Sequence, residues 1–413
     1  MTGVQTCALP IEIVAGDGDH VYLYFGMRRG GSNIYALNVT DRANPVLMWE
    51  IKGGVGSYTE LGETWSTINV EKVKDGATEK AVLIFGGGYD ATQDNAAVRR
   101  VDTVGRTVYI ANATTGARMW SAGVDGTSPN ADMVYSIPAR VKPLDISGDG
   151  YIDRLYAADM GGQVFRFDIN NNNGNALSAS ITGGRIADLA GAADVDARRF
   201  YYPPDVALID APDGAYHALI LGSGFRAHPL NETIHDRIYM IKDRKTGLLT
   251  SNAAYKYNPD TPAVAGALTE AHLKDVTINL AGGEGVVGLD ETVKDAELAL
   301  IQSAQGWYID LDDEDNPGTW IGEKSLAEPL IIEGMAIVST FTPTETAPDS
   351  CTSSEGLGKV FFLDVMDATA AFPSDADVRV ERHKILARGG IPPSPNVIIT
   401  SDGEPTLDRK SVV

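Results

Sequence analysis

GGSNIYALNV (30–39), GRTVYIANA (105–113), GGQVFRFDI (161–169), HDRIYMIKD (235–243), GWYIDL (306–311) and GKVFFLDV (358–365) are six versions of one phrase. Each begins with a small or polar turn, runs through a short strand mixing aromatic and aliphatic residues, and most close on Asp or Asn. The central aromatics are Tyr35, Tyr109, Phe165, Tyr239, Tyr308 and Phe361, spaced 74, 56, 74, 69 and 53 residues apart. Solenoid repeats are usually shorter and more even. These spacings suit a four-stranded blade with loops of variable length.

Further β-prone runs lie between the markers: HVYLYFG (20–26), KAVLIFGGG (80–88), HALILGSG (217–224) and MAIVSTF (335–341). Several are almost continuously apolar, as expected of strands buried on both faces between stacked sheets. Two markers are followed by a turn and a Trp, in NVTDRANPVLMW (38–49) and NATTGARMW (112–120). A Trp at a strand end supplies a large apolar wedge between neighbouring blades. A four-stranded blade cannot bury both of its faces alone, and blades packed around an axis cover one another and leave only short edges. Six markers and a last strand near NVIITS (396–401) predict an all-β propeller of six to seven blades. A string of independent β-sandwiches is the alternative. The segment 262–300 departs from the pattern: LTEAHLKDVTINLAG (268–282) and ETVKDAELALI (291–301) show helical spacing and predict a short helical insertion, with Thr269 as an N-cap candidate.

Composition limits the function. Of 413 residues, 34 are basic and 56 acidic, giving a net charge of −22. That argues against a nucleic-acid backbone or an anionic membrane as the main partner, because both need clustered cations. Two cysteines cannot make a disulfide scaffold or a Cys-based zinc site. No apolar stretch approaches the roughly 20 residues of a membrane-spanning helix. Residues 1–11 (MTGVQTCALPI) lack the alternation that starts at His20, and RKSVV (409–413) is equally unlike what precedes it. Both read as non-native ends flanking a propeller over 12–408.

One constellation carries ion chemistry. In LDISGDGYIDRLY (144–156), Asp145, Ser147, Asp149, Gly150, Tyr151 and Asp153 occupy positions 1, 3, 5, 6, 7 and 9 of a loop counted from Asp145. An EF-hand-like calcium loop takes side-chain oxygens at 1, 3, 5 and 9, a backbone carbonyl at 7, and Gly at 6 for the sharp turn. Position 12 is Tyr156 rather than a bidentate Glu, so the loop is not a helix–loop–helix EF-hand; it joins two strands of one blade. Ser147 offers a neutral hydroxyl where Asp or Asn is usual, which predicts weaker binding, suited to an extracellular module. An Asp-Gly turn held by local hydrogen bonds is the plainer alternative. The cluster DLDDEDNPG (310–318), with Asp310, Asp312, Asp313, Glu314 and Asp315, lacks ordered spacing and reads as a solvated hairpin tip. GGEGVVG (282–288) contains GxGxxG but does not open a helix in a βαβ unit, and the six histidines show no metal-binding spacing. Cys351 stands in a Thr/Ser/Pro-rich loop with no catalytic role assigned.

With these motifs in hand, the chain resembles the C-terminal β-propeller of the type IV pilus tip adhesin and biogenesis family PilC/PilY. The likeness is carried by FGMRRGGSNIYALNVTD (25–41), LGETWS (61–66), FGGGYDATQDN (85–95), LDISGDGYIDRLYAADMGGQVFRFDI (144–169), GSGFRAHP (222–229), DRIYMIKD (236–243), LKDVTINL (273–280), and GWYIDL with GEKSLAEP (306–329). The resemblance implies a modified seven-bladed propeller related to quinoprotein dehydrogenases. It implies Ca2+ held by Asp145, Ser147, Asp149, Tyr151 and Asp153, with occupancy linked to pilus extension versus retraction and twitching motility. It also implies minor pilins as partners, a site at the pilus tip or outer membrane reached through the periplasm, and a separate N-terminal adhesion region for host or abiotic surfaces. The reading is non-enzymatic. The competing reading is a quinone-dependent (PQQ-type) dehydrogenase, which shares the architecture but typically places its quinone over an adjacent Cys pair that this sequence lacks.

Overall fold

The computed structural model describes residues 6–11, 20–124, 126–249, 266–282, 289–314, 316–344, 355–371, 382–399 and 405–407. These form five antiparallel-based sheets of four or five strands and one pair. The first sheet runs Thr6–Ile11, His20–Gly26, Ile34–Asn38, Val46–Ile51 in spatial order. The second runs Asn69–Asp75, Thr78–Gly86, Thr107–Asn112, Arg118–Gly123, with Ser128–Pro129 added in parallel. The third runs Lys142–Leu144, Arg154–Ala158, Gln163–Ile169, Ile181–Asp188. The fourth runs Asp205–Ile209, Tyr216–Gly222, Arg237–Asp243, Gly306–Asp310, with Lys274–Asp275 added in parallel. The fifth is built on Met335–Thr342, which pairs with Lys324–Ser325, Leu330–Ile332 and Leu357–Asp364; the last of these pairs with His383–Ile385. Val397–Ile399 and Pro405–Leu407 form the pair. Within each larger sheet the strands follow chain order almost throughout, the up-and-down connectivity of a blade.

The chain divides into two compact units: residues 1–96, 100–187 and 247–267, and residues 97–99, 188–246 and 268–413. In the first unit the second sheet is buried on both faces, which explains the unbroken apolar run KAVLIFG. Leu83, Phe85, Tyr109 and Ala111 point to one side and pack with Tyr24, Ile34, Ala36 and Ile51 of the first sheet. Val82, Ile84, Val108 and Ile110 point to the other and pack with Leu155, Ala157, Phe165 and Phe167 of the third. The two-residue period of a strand sorts these residues between two cores. Both expected Trp wedges are in place. Trp49 donates from Nε1 to the Ala113 carbonyl of the second sheet at 3.1 Å, and fully buried Trp120 meets Phe167 of the third sheet edge-on with centroids 5.3 Å apart. In the second unit, Ala218, Ile220, Ile238, Met240 and Trp307 of the fourth sheet share a core with Ala336, Val338, Phe361 and Leu363 of the fifth.

The glycines that end three second strands have a packing reason. A Cβ on Gly26 would lie 2.7 Å from Thr64 Oγ1, one on Gly86 would lie 2.4 Å from the Ile137 carbonyl, and one on Gly222 would lie 2.3 Å from Ser325 Cβ. In each case the contacting residue belongs to the segment entering the next sheet, so the chain crosses where a side chain would stand.

Two expectations change. GWYIDL is not the marker of a separate blade: Tyr308 is the cross-strand partner of Tyr239, making Gly306–Asp310 the fourth strand of the sheet whose third strand is HDRIYMIKD. The other five markers are third strands. Residues 268–282 are not helical. They hold one turn of 3₁₀ helix, Glu270–His272, and the short strand Lys274–Asp275; Thr269 does stand at the start of that turn, its N–H donating to His272 Nδ1 at 3.0 Å. The helix α1 is Glu291–Ser303, capped by Asp290, whose Oδ1 accepts from the Thr292 N–H at 2.8 Å. Its last carbonyls, at Ile301, Gln302 and Ala304, accept from Lys242 Nζ. A cation suits that end of the helix dipole. Finally, Thr6–Ile11 pairs antiparallel with His20–Phe25; Asp17, Asp19, Cys351, residues 283–288 and residues 408–413 lie outside the described residues.

Candidate metal centre

The nine residues from Asp145 to Asp153 form the hairpin loop between two strands of the third sheet, closed by the Leu144–Arg154 pair. Gly148 and Gly150 have φ of +74° and +86°, the left-handed region that glycine enters at low cost, and so the loop coils. Coiling gathers Asp145, Asp149 and Asp153: one carboxylate oxygen from each lies within 4.8 Å of the other two. Donors about 2.3–2.6 Å from a calcium ion stand at most about 5 Å apart across it, so this spacing is that of a shared coordination sphere. The donor set is all oxygen and anionic, and it fits a hard divalent cation.

The scaffold around the carboxylates is polar and directional. Asp145 accepts at 2.7 Å from the Gly148 N–H on one oxygen and at 2.7 Å from the Gly150 N–H on the other. Partial burial pushes its pKa up, but these backbone donors outweigh that and hold it below the usual carboxylate value. Asp149 accepts from the Tyr151 N–H at 3.1 Å. Buried Asp153 accepts from the Ser147 N–H at 3.0 Å.

The five residues expected from the sequence therefore behave differently. The three aspartates converge. The Ser147 hydroxyl lies 3.3 Å from Asp145 Oδ1 as a hydrogen-bond donor. The Tyr151 ring leaves the loop: its hydroxyl donates to Glu79 at 2.8 Å, and Lys74 Nζ sits 4.5 Å over its face. That is compatible with a ligand expected to act only through its backbone carbonyl. Tyr156, at position 12, is fully buried in the strand and offers no carboxylate.

Sequence reasoning missed a brace. Asn171, in the following hairpin and almost fully buried, donates to Asp153 Oδ1 at 3.2 Å and to the Ile152 carbonyl at 3.0 Å, while its own oxygen accepts from the Lys74 N–H at 2.9 Å. It is one of four consecutive asparagines, and nothing in the run distinguishes it. The acidic stretch 310–314 also departs from a solvated tip. Asp310 pairs with Arg237, Asp312 is buried and accepts from the Gly318 N–H at 2.5 Å, and Glu314 lies 3.2 Å from His383 and 3.4 Å from Lys359.

Comparison with known proteins adds the lineage. Residues 7–202, which contain both the second sheet and the aspartate loop, match the family described as the PilY1 beta-propeller domain. The type IV pilus biogenesis factor PilY1 of Pseudomonas aeruginosa (strain PAO1) is 26% identical over 363 residues. The chain is similar to the PilC/PilY family. The match to the Pseudomonas aeruginosa protein covers 80% of this chain and 28% of that relative. A PilY1 homolog of Xylella fastidiosa (strain Temecula1) is 23% identical over 358 residues, covering 84% of this chain and 22% of that relative. The chain thus spans about a quarter of the length of these PilY1 proteins. The crystal structure of the Pseudomonas aeruginosa PilY1 C-terminal domain superposes with a TM-score of 0.65 at 18% identity, covering 98% of this chain and 82% of that domain. The fold is a β-propeller. Among the described residues no helix is long and apolar enough to cross a membrane.

Proposed function

We propose that this chain is the calcium-binding propeller of a type IV pilus tip biogenesis factor, and that cation occupancy of the 145–153 loop biases pili toward extension or retraction. The observation that carries the reading is the convergence of Asp145, Asp149 and Asp153 within 4.8 Å on a glycine-coiled hairpin. Three carboxylates this close repel one another, and a divalent cation relieves the repulsion while ordering the loop. Asp145, Asp149 and Asp153 supply carboxylate oxygens, Tyr151 its backbone carbonyl, and Ser147 a hydroxyl after turning from Asp145; water completes the shell. An ordered loop on a rigid sheet favours one partner-bound state over another. The partners are minor pilins at the pilus tip, and the place of action is the cell surface, reached through the periplasm. The name and role of the PilY1 relatives support this assignment to the pilus; the loop geometry supports the ion.

The test is a calorimetric calcium titration of the wild type beside Asp149→Ala. The wild type is expected to bind one ion with Kd on the order of 10⁻⁴–10⁻³ M, the range of extracellular modules. Asp149→Ala is expected to show no heat of binding while its circular dichroism is unchanged, because an exposed loop carboxylate contributes little to the fold. Equal binding by both proteins would place the ion elsewhere and remove the basis of the reading.

A further inference from the structure

In the second unit, a buried carboxyl group sits at the seam where the fourth and fifth sheets meet. Asp236 precedes the strand Arg237–Asp243 and is fully buried. One carboxyl oxygen accepts from the Ser223 hydroxyl at 2.7 Å; the other has no hydrogen-bond partner among the described residues. Ser223 is itself the seam: its carbonyl accepts from the Ser325 N–H at 2.8 Å, its N–H donates to the Arg237 carbonyl at 2.9 Å, and Gly222 beside it touches Ser325. The charged groups facing Asp236 are Lys324 of the fifth sheet and Arg198 and Arg199 of the segment entering the fourth. Lys324 is fully buried and spends its ammonium group on the carbonyls of Pro229, Asn231 and Gly322. Arg198 pairs with Asp196 and Glu270, and Arg199 donates to the Ala197 carbonyl and lies over Phe225. The flanking side chains turn away, His235 stacking on Trp320 and Arg237 joining Glu270 and Asp310.

A carboxylate in this position is a buried charge with one hydroxyl donor and one bare oxygen, which is costly. A neutral carboxyl avoids most of that cost. We propose that Asp236 is a proton-operated joint: the seam through Ser223 and Ser325 is tight while the carboxyl is neutral, and ionisation loosens it. Burial, opposed by Lys324, Ser223 and the two arginines, pushes the Asp236 pKa up to about 6 from an ordinary 3.8. A raised carboxyl pKa contributes stability that is full below about 3.8 and is lost as pH rises through about 6. The inference concerns a different unit from the cation loop and does not depend on it.

The experiment is hydrogen exchange read by mass spectrometry on the whole chain at pH 5 and pH 7.5, corrected for the chemical exchange rate, following peptides across 220–226 and 322–328. If opening restores an ordinary carboxyl, the local opening equilibrium of the wild type rises roughly tenfold between these pH values. Asp236→Asn, which holds no titratable proton, is expected to show no such rise. An equal rise in both proteins, or none in the wild type, overturns the proposal. Should Asp236→Asn fail to fold, infrared titration of the wild type decides: a protonated-carboxyl band vanishing near pH 6 supports the joint, and no such band above pH 5 removes it.

Discussion

An Asp168→Ala variant is expected to lose about 3–5 kcal/mol of folding stability, the usual cost of stripping the partner from a buried charge. Asp168 lies on the third strand of the third sheet and is almost fully buried. It accepts from Arg154 Nε at 2.7 Å and from Arg166 Nη2 at 2.5 Å, and both arginines are as buried as the carboxylate. It also accepts from the Leu249 N–H at 2.8 Å, while Arg154 and Arg166 both donate to the Gly247 carbonyl, at 2.7 and 2.9 Å. One carboxylate therefore pairs with two guanidinium groups and helps tie residues 247–249 to the sheet. Removing it leaves two cations in a low-dielectric interior. The check is urea unfolding: a lower midpoint at unchanged slope is the expected result. A loss below about 1 kcal/mol would mean that other groups carry the arginines' compensation. Asp168→Asn is expected to cost less, because an amide oxygen still accepts one of the bonds.

Gly86→Val is expected to destabilise by about 3 kcal/mol, at the upper end of what overpacking usually costs. Its Cβ would meet the Ile137 carbonyl at 2.4 Å, Ile137 Cγ2 at 2.7 Å and the Ala139 carbonyl at 3.1 Å. Two of these are backbone atoms of the segment entering the third sheet, and backbone cannot rotate away. The Gly86 N–H also donates to Ser66 Oγ at 2.9 Å, so the strand is pinned from the other side. Gly247→Ala is the control: a Cβ there meets nothing within 4 Å among the described residues and the backbone is not left-handed, so stability is expected to change by less than about 1 kcal/mol. Thermal unfolding of the two variants against the wild type separates local crowding from a general intolerance of glycine replacement.

The aspartate loop was legible because its chemistry is local. Nine consecutive residues carry the oxygen donors and the two glycines that coil them, and the structure brings together the three carboxylates that this spacing selects. Its support was not legible. Asn171 holds Asp153 from a separate hairpin, and Glu79 holds Tyr151 from across 72 residues of chain. The marker repeat had the same limit. A strand motif identifies a strand but not its sheet, and only the pairing of Tyr239 with Tyr308 shows that two markers share one sheet. Residues 268–282 misled for a related reason. Helical spacing is a weak preference, and pairing with an existing sheet at Lys274–Asp275 overrides it.

Read alone, the order of residues decided the strand-rich character of the chain, the sites of the Trp wedges and the position of the carboxylate loop. Each depends on neighbours within about a dozen positions, where backbone period and turn chemistry act directly. What the folded molecule alone decided is which distant groups meet. Examples are Asp168 with two buried arginines, Gly86 under the crossing segment, and Asp236 beside Ser223 with one oxygen bare. Such meetings are set by how sheets stack. Stacking is driven by apolar burial that has no direction of its own, so the polar groups it encloses acquire their partners, or lack them, only once the layers are in place.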